Sequence, residues 1–216
     1  MRTTILLADD HLLFRHGLRG ALATLPNLEV VGEADDGAQA ETLAGELKPR
    51  VLLMDIHMPG LNGTEVTRRI LRKNPRIKVL ALSMYAQKRY VMDMFAAGAR
   101  GFALKSCSFE ELAEAIGAVA EGRTWLSPEL RHLEADILGQ SARPPGRVLD
   151  LLTPREREVV QLVAEGGTSK SIAERLNLSE TTVETHRRQI MRKLGLGSVA
   201  ELTQFAVREG LLILEP

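Results

Sequence analysis

Up to about residue 122, the hydrophobic positions alternate between two patterns. Short, nearly unbroken apolar runs occur at Thr4–Ala8, Glu29–Ala34, Val51–Asp55, Ile77–Ser83 and Gly101–Leu104. Such runs predict strands covered on both faces, as in a parallel sheet flanked by helices. Between them, apolar residues recur at three- and four-residue spacing, for example Ala40, Leu43, Ala44 and Leu47, then Leu112, Ala115, Ile116 and Val119. That spacing predicts helices with one buried stripe. Ser108 with Glu111 makes a capping box for the last of them. Five strand–helix repeats imply a doubly wound α/β domain with a five-stranded parallel sheet, whose ligand crevice lies at the strand C-termini.

Beyond residue 122 the strand pattern stops. Ser127-Pro128-Glu129 restarts a helix that fades at Gly139, with Ser127 as its expected cap. The polar, Pro/Gly-rich stretch Gln140–Gly146 reads as a linker. Four short helices follow. Thr153-Pro154-Arg155-Glu156 opens the first. The second runs from about Thr168 to Leu176, and the third is capped by Ser179 and stopped by Gly195. Ser198 and Glu201 form a capping box for the fourth. The expected division is therefore an α/β domain over 1–122, a linker helix and flexible linker over 123–150, and a small all-α domain over 151–216.

Composition adds limits. The 216 residues are 44% hydrophobic and 26% charged, as in ordinary globular proteins. No apolar run is long enough for a membrane span, and the N-terminus does not read as a signal peptide. The single cysteine, Cys107, rules out an internal disulfide and fits the cytoplasm. Net charge is zero, and residues 148–216 carry 9 Lys+Arg against 10 Asp+Glu, a balance of −1. Any nucleic-acid contact must then come from a local cluster, and Arg187, Arg188, Arg192 and Lys193 supply one within two helical turns.

Chemistry gathers at the strand ends. Asp9 and Asp10 end the first strand and Asp55 ends the third. These strands are usually neighbours in a doubly wound sheet, so three carboxylates should converge. Taken singly, an Asp at a strand end is routine loop chemistry; together these three repel one another unless a cation joins them. An open, all-oxygen site favours Mg2+. Ser83 ends the fourth strand with a hydroxyl, and Lys105 follows the fifth with an ammonium. An acidic metal pocket with those two groups suits phosphoryl transfer, with Asp55 as nucleophile.

The sequences Ala8-Asp9-Asp10-His11, Met54–Gly63, Ala81-Leu82-Ser83 and Gly101–Lys105 resemble the receiver domain of two-component signalling proteins, a flavodoxin-like fold. The resemblance implies that Asp10, Asp55 and the backbone carbonyl of His57 bind Mg2+ directly, and that Asp9 acts through a metal-bound water. It also implies that Lys105 contacts the phosphoryl group, that Ser83 moves to it, and that Phe102 turns inward behind Ser83. Phe102 lacks the hydroxyl that a Tyr would place at this switch position. His11 and His57 read as backbone or packing contributors. A haloacid-dehalogenase phosphatase would need a second acid two residues after the nucleophile, where this chain has His57.

In the third C-terminal helix, Val183, Ile190 and Leu194 lie on one face, and Thr181, Glu184, Thr185, Arg188 and Arg192 on the other. Such a helix can enter a major groove. Arg188 suits guanine, Glu184 cytosine and Thr185 a thymine methyl, while Arg187, Arg192, Lys193 and Lys170 suit phosphates. Leu152–Val159, Ser171–Leu176 and Thr182-Val183-Glu184-Thr185-His186 resemble the LuxR-type helix-turn-helix domain, which adds Thr182 to the expected DNA contacts. Together the two resemblances point to the NarL/FixJ type of response regulator. A quorum-sensing regulator shares the C-terminal domain, but the acidic N-terminal half does not fit one. The implied partners are a sensor histidine kinase, double-stranded promoter DNA and a second copy of the chain, with no membrane. The chain is expected to catalyse only the transfer and loss of its own phosphoryl group, so it is not otherwise an enzyme. Val199, Leu202, Phe205 and Ala206 form a stripe fitting either a dimer contact or the core.

Overall fold

The computed structural model describes residues 2–58, 62–139, 151–209 and 211. The expected linker, Gln140–Gly146, and Pro59-Gly60-Leu61 of the receiver-like motif lie outside them. The chain divides into two units, Met1–Arg143 and Pro144–Pro216, each with its own core.

The first unit is built on strands β1 (Thr3–Ala8), β2 (Leu28–Ala34), β3 (Val51–Asp55), β4 (Lys78–Ser83), β5 (Gly101–Leu104) and β6 (Trp125–Leu126). All pair in parallel, in the order β2-β1-β3-β4-β5-β6. Helices α1 (Leu12–Leu22), α2 (Gly37–Leu47), α3 (Gly63–Lys73), α4 (Lys88–Ala96) and α5 (Phe109–Ala120) connect them. Every residue of β3 is buried, as a central parallel strand requires. The Ser108–Glu111 capping box forms as expected.

The sheet has six strands, not the five expected. Trp125 and Leu126 pair with Gly101 and Phe102, and two residues are too few to show a period. Ser127 does not cap the helix after it. Its hydroxyl instead accepts the Leu104 N–H at 2.9 Å inside the core, while its own N–H donates to the Phe102 carbonyl. A 3-10 helix (Pro128–Leu133) then leads into α6 (Glu134–Gly139). Leu130 and Leu133 are buried. Residues 125–133, expected to belong to the linker, are thus joined to the sheet and its core.

The second unit is helical: α7 (Pro154–Ala164), α8 (Ser169–Leu176), α9 (Glu180–Leu194) and α10 (Val199–Arg208). Thr153 and Glu156 form the capping box of α7. Asn177 ends α8 in the left-handed region (φ 52°), and Gly195 does so for α9 (φ 67°). At α10, Ser198 accepts from Glu201 N, but the Glu201 carboxylate takes the Gly197 N–H, so only half the expected box forms. Leu202, Phe205 and Ala206 are core residues with Val159, Ile172, Val183 and Ile190. Of the α10 stripe, Val199 alone is exposed, which settles the core reading for the other three.

Candidate functional site

Strand register brings the predicted acids together. Ala8 lies beside Met54 across the β1–β3 pair, so the residues that follow, Asp9 and Asp55, leave the sheet side by side. Ser83 lies beside Leu104 across β4–β5, and Lys105 comes next. The structure needs glycine at Gly63: a Cβ there would stand 2.3 Å from the Asp55 carbonyl oxygen. That close approach seats α3 directly under the pocket.

Lys105 is the pocket's cation. Its Nζ lies 2.7 Å from Asp55 Oδ2 and 2.6 Å from Asp9 Oδ2, with the side chain only 4% exposed. Asp55 Oδ1 accepts the His57 N–H at 3.0 Å, and Asp9 Oδ1 accepts the His11 N–H at 2.9 Å. Burial pushes the Asp55 carboxyl above its ordinary pKa, and Lys105 offsets only part of this. Burial also opposes the Lys105 charge, but Asp55 and Asp9 outweigh it and hold the ammonium above its ordinary range.

Ligand atoms of Asp9, Asp10, His11 and Asp55 lie within 4.8 Å of one another. With all three acids ionised, −3 from the carboxylates and +1 from Lys105 leave −2, which a divalent cation cancels. Asp10 Oδ1 is buried, with the His11 ring nitrogen 3.0 Å away. Such a carboxylate-rich set of oxygens fits a hard cation such as Mg2+.

The two histidines differ. Burial, then Lys105, pushes His57 down to about 4, so its ring is neutral. It meets Tyr90 and Tyr85 edge-on, with centroids 4.8 and 5.8 Å apart, in keeping with a packing side chain. His11, read in the sequence as a backbone or packing contributor, gives its N–H to Asp9 and stands at the pocket rim with Nδ1 3.0 Å from Asp10 Oδ1. Ser83 is fully buried and its Oγ accepts the Tyr85 N–H at 3.0 Å. Phe102, expected to turn inward on activation, is already fully buried. Arg15 was not foreseen: it is buried, and its guanidinium donates to the Asp9 carbonyl. An arginine in an amphipathic helix ordinarily reads as solvated, so nothing local marks it.

On α9, Val183 and Ile190 are buried, while Thr181, Thr185, Arg188, Arg192 and Lys193 are exposed, as is Lys170 on α8. Thr185, Arg188, Gln189 and Arg192 line one shallow recess. Four expected DNA contacts are engaged with other side chains of the unit. The Lys193 ammonium pairs with buried Glu156 at 2.7 Å. Glu184 Oε1 accepts from the Ser169 hydroxyl and lies 3.3 Å from Arg187 Nη1, which also donates to Ser169 Oγ at 2.9 Å. The Thr182 hydroxyl joins the Ser179 cap at 2.8 Å. Glu156 on α7 and Ser169 on α8 are invisible to a helical-face argument confined to α9.

Two family models match. The response regulator receiver domain model covers residues 5–117, and the model of bacterial regulatory proteins of the luxR family covers residues 150–206. The chain is 37% identical to response regulator GacA of Pseudomonas aeruginosa over 208 residues, covering 96% of this chain and 97% of that protein. It is 34% identical to the nitrate/nitrite response regulator protein NarL of Escherichia coli over 206 residues, covering 95% of each. Among solved structures, that of two RcsB dimers bound to two parallel DNAs is similar with TM-score 0.58 and 25% identity, covering 97% of this chain and 99% of that one.

Proposed function

Since the chain belongs to the two-component response regulators that join a receiver domain to a LuxR-type DNA-binding domain, we propose that phosphorylation of Asp55 by a sensor histidine kinase switches promoter binding through α9. The protein is a transcription regulator and not a conventional enzyme. The observation that carries the proposal is Lys105 held between Asp9 and Asp55, beside Asp10, at the ends of adjacent strands.

Asp10, Asp55 and the His57 carbonyl would hold Mg2+, with Asp9 acting through a metal-bound water; the ion would supply positive charge to the incoming phosphoryl oxygens. Asp55 attacks the phosphorus of the kinase phosphohistidine. An oxygen–phosphorus bond forms, the nitrogen–phosphorus bond breaks, and its electron pair stays on the histidine. Lys105 exchanges its carboxylate partner for a phosphoryl oxygen, so its charge moves little while the load it balances changes. Ser83 is buried one strand away, and its hydroxyl proton is available to a phosphoryl oxygen. Phe102 fills the space behind it.

On DNA, Arg188, Thr185 and Thr181 are the base-facing set, and Lys170 and Arg192 reach phosphates. Glu184, Arg187 and Thr182 hold α9 in place, and Lys193 serves Glu156 first. Pairing of two copies on DNA is supported by the similar RcsB dimers. We assign the receiver to 1–139, with β6 completing its sheet, the linker to 140–150 and the DNA-binding domain to 151–216. No helix among the described residues is long and apolar enough to cross a membrane, and we place the protein in the cytoplasm.

The test is labelling with a small-molecule phosphodonor in the presence of Mg2+. One hydroxylamine-sensitive label is expected, lost in Asp55→Asn; a label surviving that change on another side chain would refute the assignment.

A further inference from the structure

We infer that Arg15 is a positioning residue for the acid pocket, fixing the β1–α1 turn from which Asp9 and Asp10 present their carboxylates. The inference rests on that pocket being the Mg2+ site proposed above. Arg15 lies on α1, one turn past His11, whose carbonyl accepts its N–H. The side chain is 10% exposed and runs back beneath the turn. Nη1 donates to the main-chain carbonyl of Asp9, and Nε lies 3.3 Å from Glu33 Oε2 on β2. Glu33 also pairs through its other oxygen with Arg19.

The peptide is planar, so the Asp9 carbonyl and the Asp10 N–H move as one unit. A donor gripping that carbonyl therefore sets the orientation in which the chain enters Asp10. Asp10 most needs such help, because the group that meets its Oδ1 is the exposed His11 ring, 3.0 Å away, rather than a backbone N–H of the kind that aims Asp9. Asp9 is held at four points: its N–H donates to the Ala34 carbonyl, its Oδ1 accepts from His11 N, its Oδ2 lies 2.6 Å from the Lys105 ammonium, and its carbonyl accepts from Arg15. Arg15 binds the backbone and leaves the carboxylate oxygens to a cation. A guanidinium suits this job, since its fork reaches a carbonyl with one nitrogen and a carboxylate with another while staying charged. Residues that hold a metal ligand in place from behind commonly change metal affinity by about 10- to 100-fold.

The test uses the full-length chain and Mg2+ alone. Calorimetric titration gives its affinity, and thermal unfolding in EDTA gives stability without the ion. Arg15→Met is expected to weaken Mg2+ binding about tenfold or more. Arg15→Lys should recover part of that loss. Glu33→Gln should weaken binding less and add nothing in the Arg15→Met background, as expected of two residues acting through one contact. Arg19→Gln shares Glu33 but does not touch Asp9, and should bind normally. A merely structural Arg15 would lower the unfolding temperature in EDTA while leaving Mg2+ affinity intact, and that result would overturn the inference. If Arg15→Met does not fold, Arg15→Lys and Glu33→Gln decide it: wild-type affinity in both would overturn it equally. Failure of the wild-type chain to bind Mg2+ would instead sink the reading of the pocket itself.

Discussion

At the residue scale, Asp55 sits where charge is costly. Its carboxyl is raised from the ordinary 3.8 by burial, against the partial relief of Lys105. Between the unfolded and folded values the folded chain binds more protons, so stability falls as pH rises through that window. Above it, the ionised carboxylate is a standing strain on the fold. Asp55→Asn should therefore unfold at higher urea than wild type at pH 7 in EDTA, with the gap closing below pH 3.8. Adding Mg2+ should shrink or reverse the gap, because only the wild type keeps all three acids. Lys105 gives the complementary case. Lys105→Met leaves Asp9 and Asp55 buried without their cation, and phosphodonor labelling should slow by roughly 10²- to 10³-fold, as when a preorganised donor is removed from other sites of charge stabilisation. Wild-type labelling kinetics in that variant would show that the ammonium serves the fold alone.

At the element scale, α9 is set by its neighbours as much as by its own pattern. Glu184 suits cytosine when the helix is considered alone, yet it bonds Ser169 at the start of α8. Glu184→Ala should accordingly weaken binding to cognate and random DNA alike. Arg188→Ala should instead relax preference at one base pair by roughly 1–3 kcal/mol. Competition assays on single-base operator variants separate the two, and a base-specific loss from Glu184→Ala would return it to the reading set. Lys193 and Glu156 make a similar brace between α9 and α7. Burial opposes the Glu156 charge, but hydrogen bonds from Lys193 and Thr153 hold its pKa below the ordinary 4.5. The stability it contributes is full above 4.5 and is lost as pH falls through the folded value. Acid unfolding of the C-terminal unit should shift to higher pH in Lys193→Met.

Across the whole molecule, what could be foreseen from the sequence followed from how local its cause was. Asp9, Asp55, Ser83 and Lys105 were legible because strand ends are marked by where apolar runs stop, and a parallel sheet brings its C-terminal ends to one side. The caps of α5 and α7 were legible because a capping box lies within four residues. Arg15, the Ser127–Leu104 bond and the Glu156–Lys193 pair join residues from 6 to 37 positions apart, and no periodic pattern reports such links. The largest such link is the division of the chain itself. One core includes residues from Ile5 to Trp125, and the other residues from Leu152 to Leu211, so the two units need not fold as one. Cutting the chain within 140–150 should then yield two folded pieces. The N-terminal piece should accept phosphate at Asp55 at the intact rate, since every pocket residue lies within it. The C-terminal piece should bind operator DNA without regard to phosphodonor, since α9 and its braces lie within that one. In the intact chain, by contrast, phosphodonor should change operator affinity. A C-terminal piece that cannot bind DNA, or an intact chain indifferent to phosphodonor, would mean that reader and switch are not separable in this way.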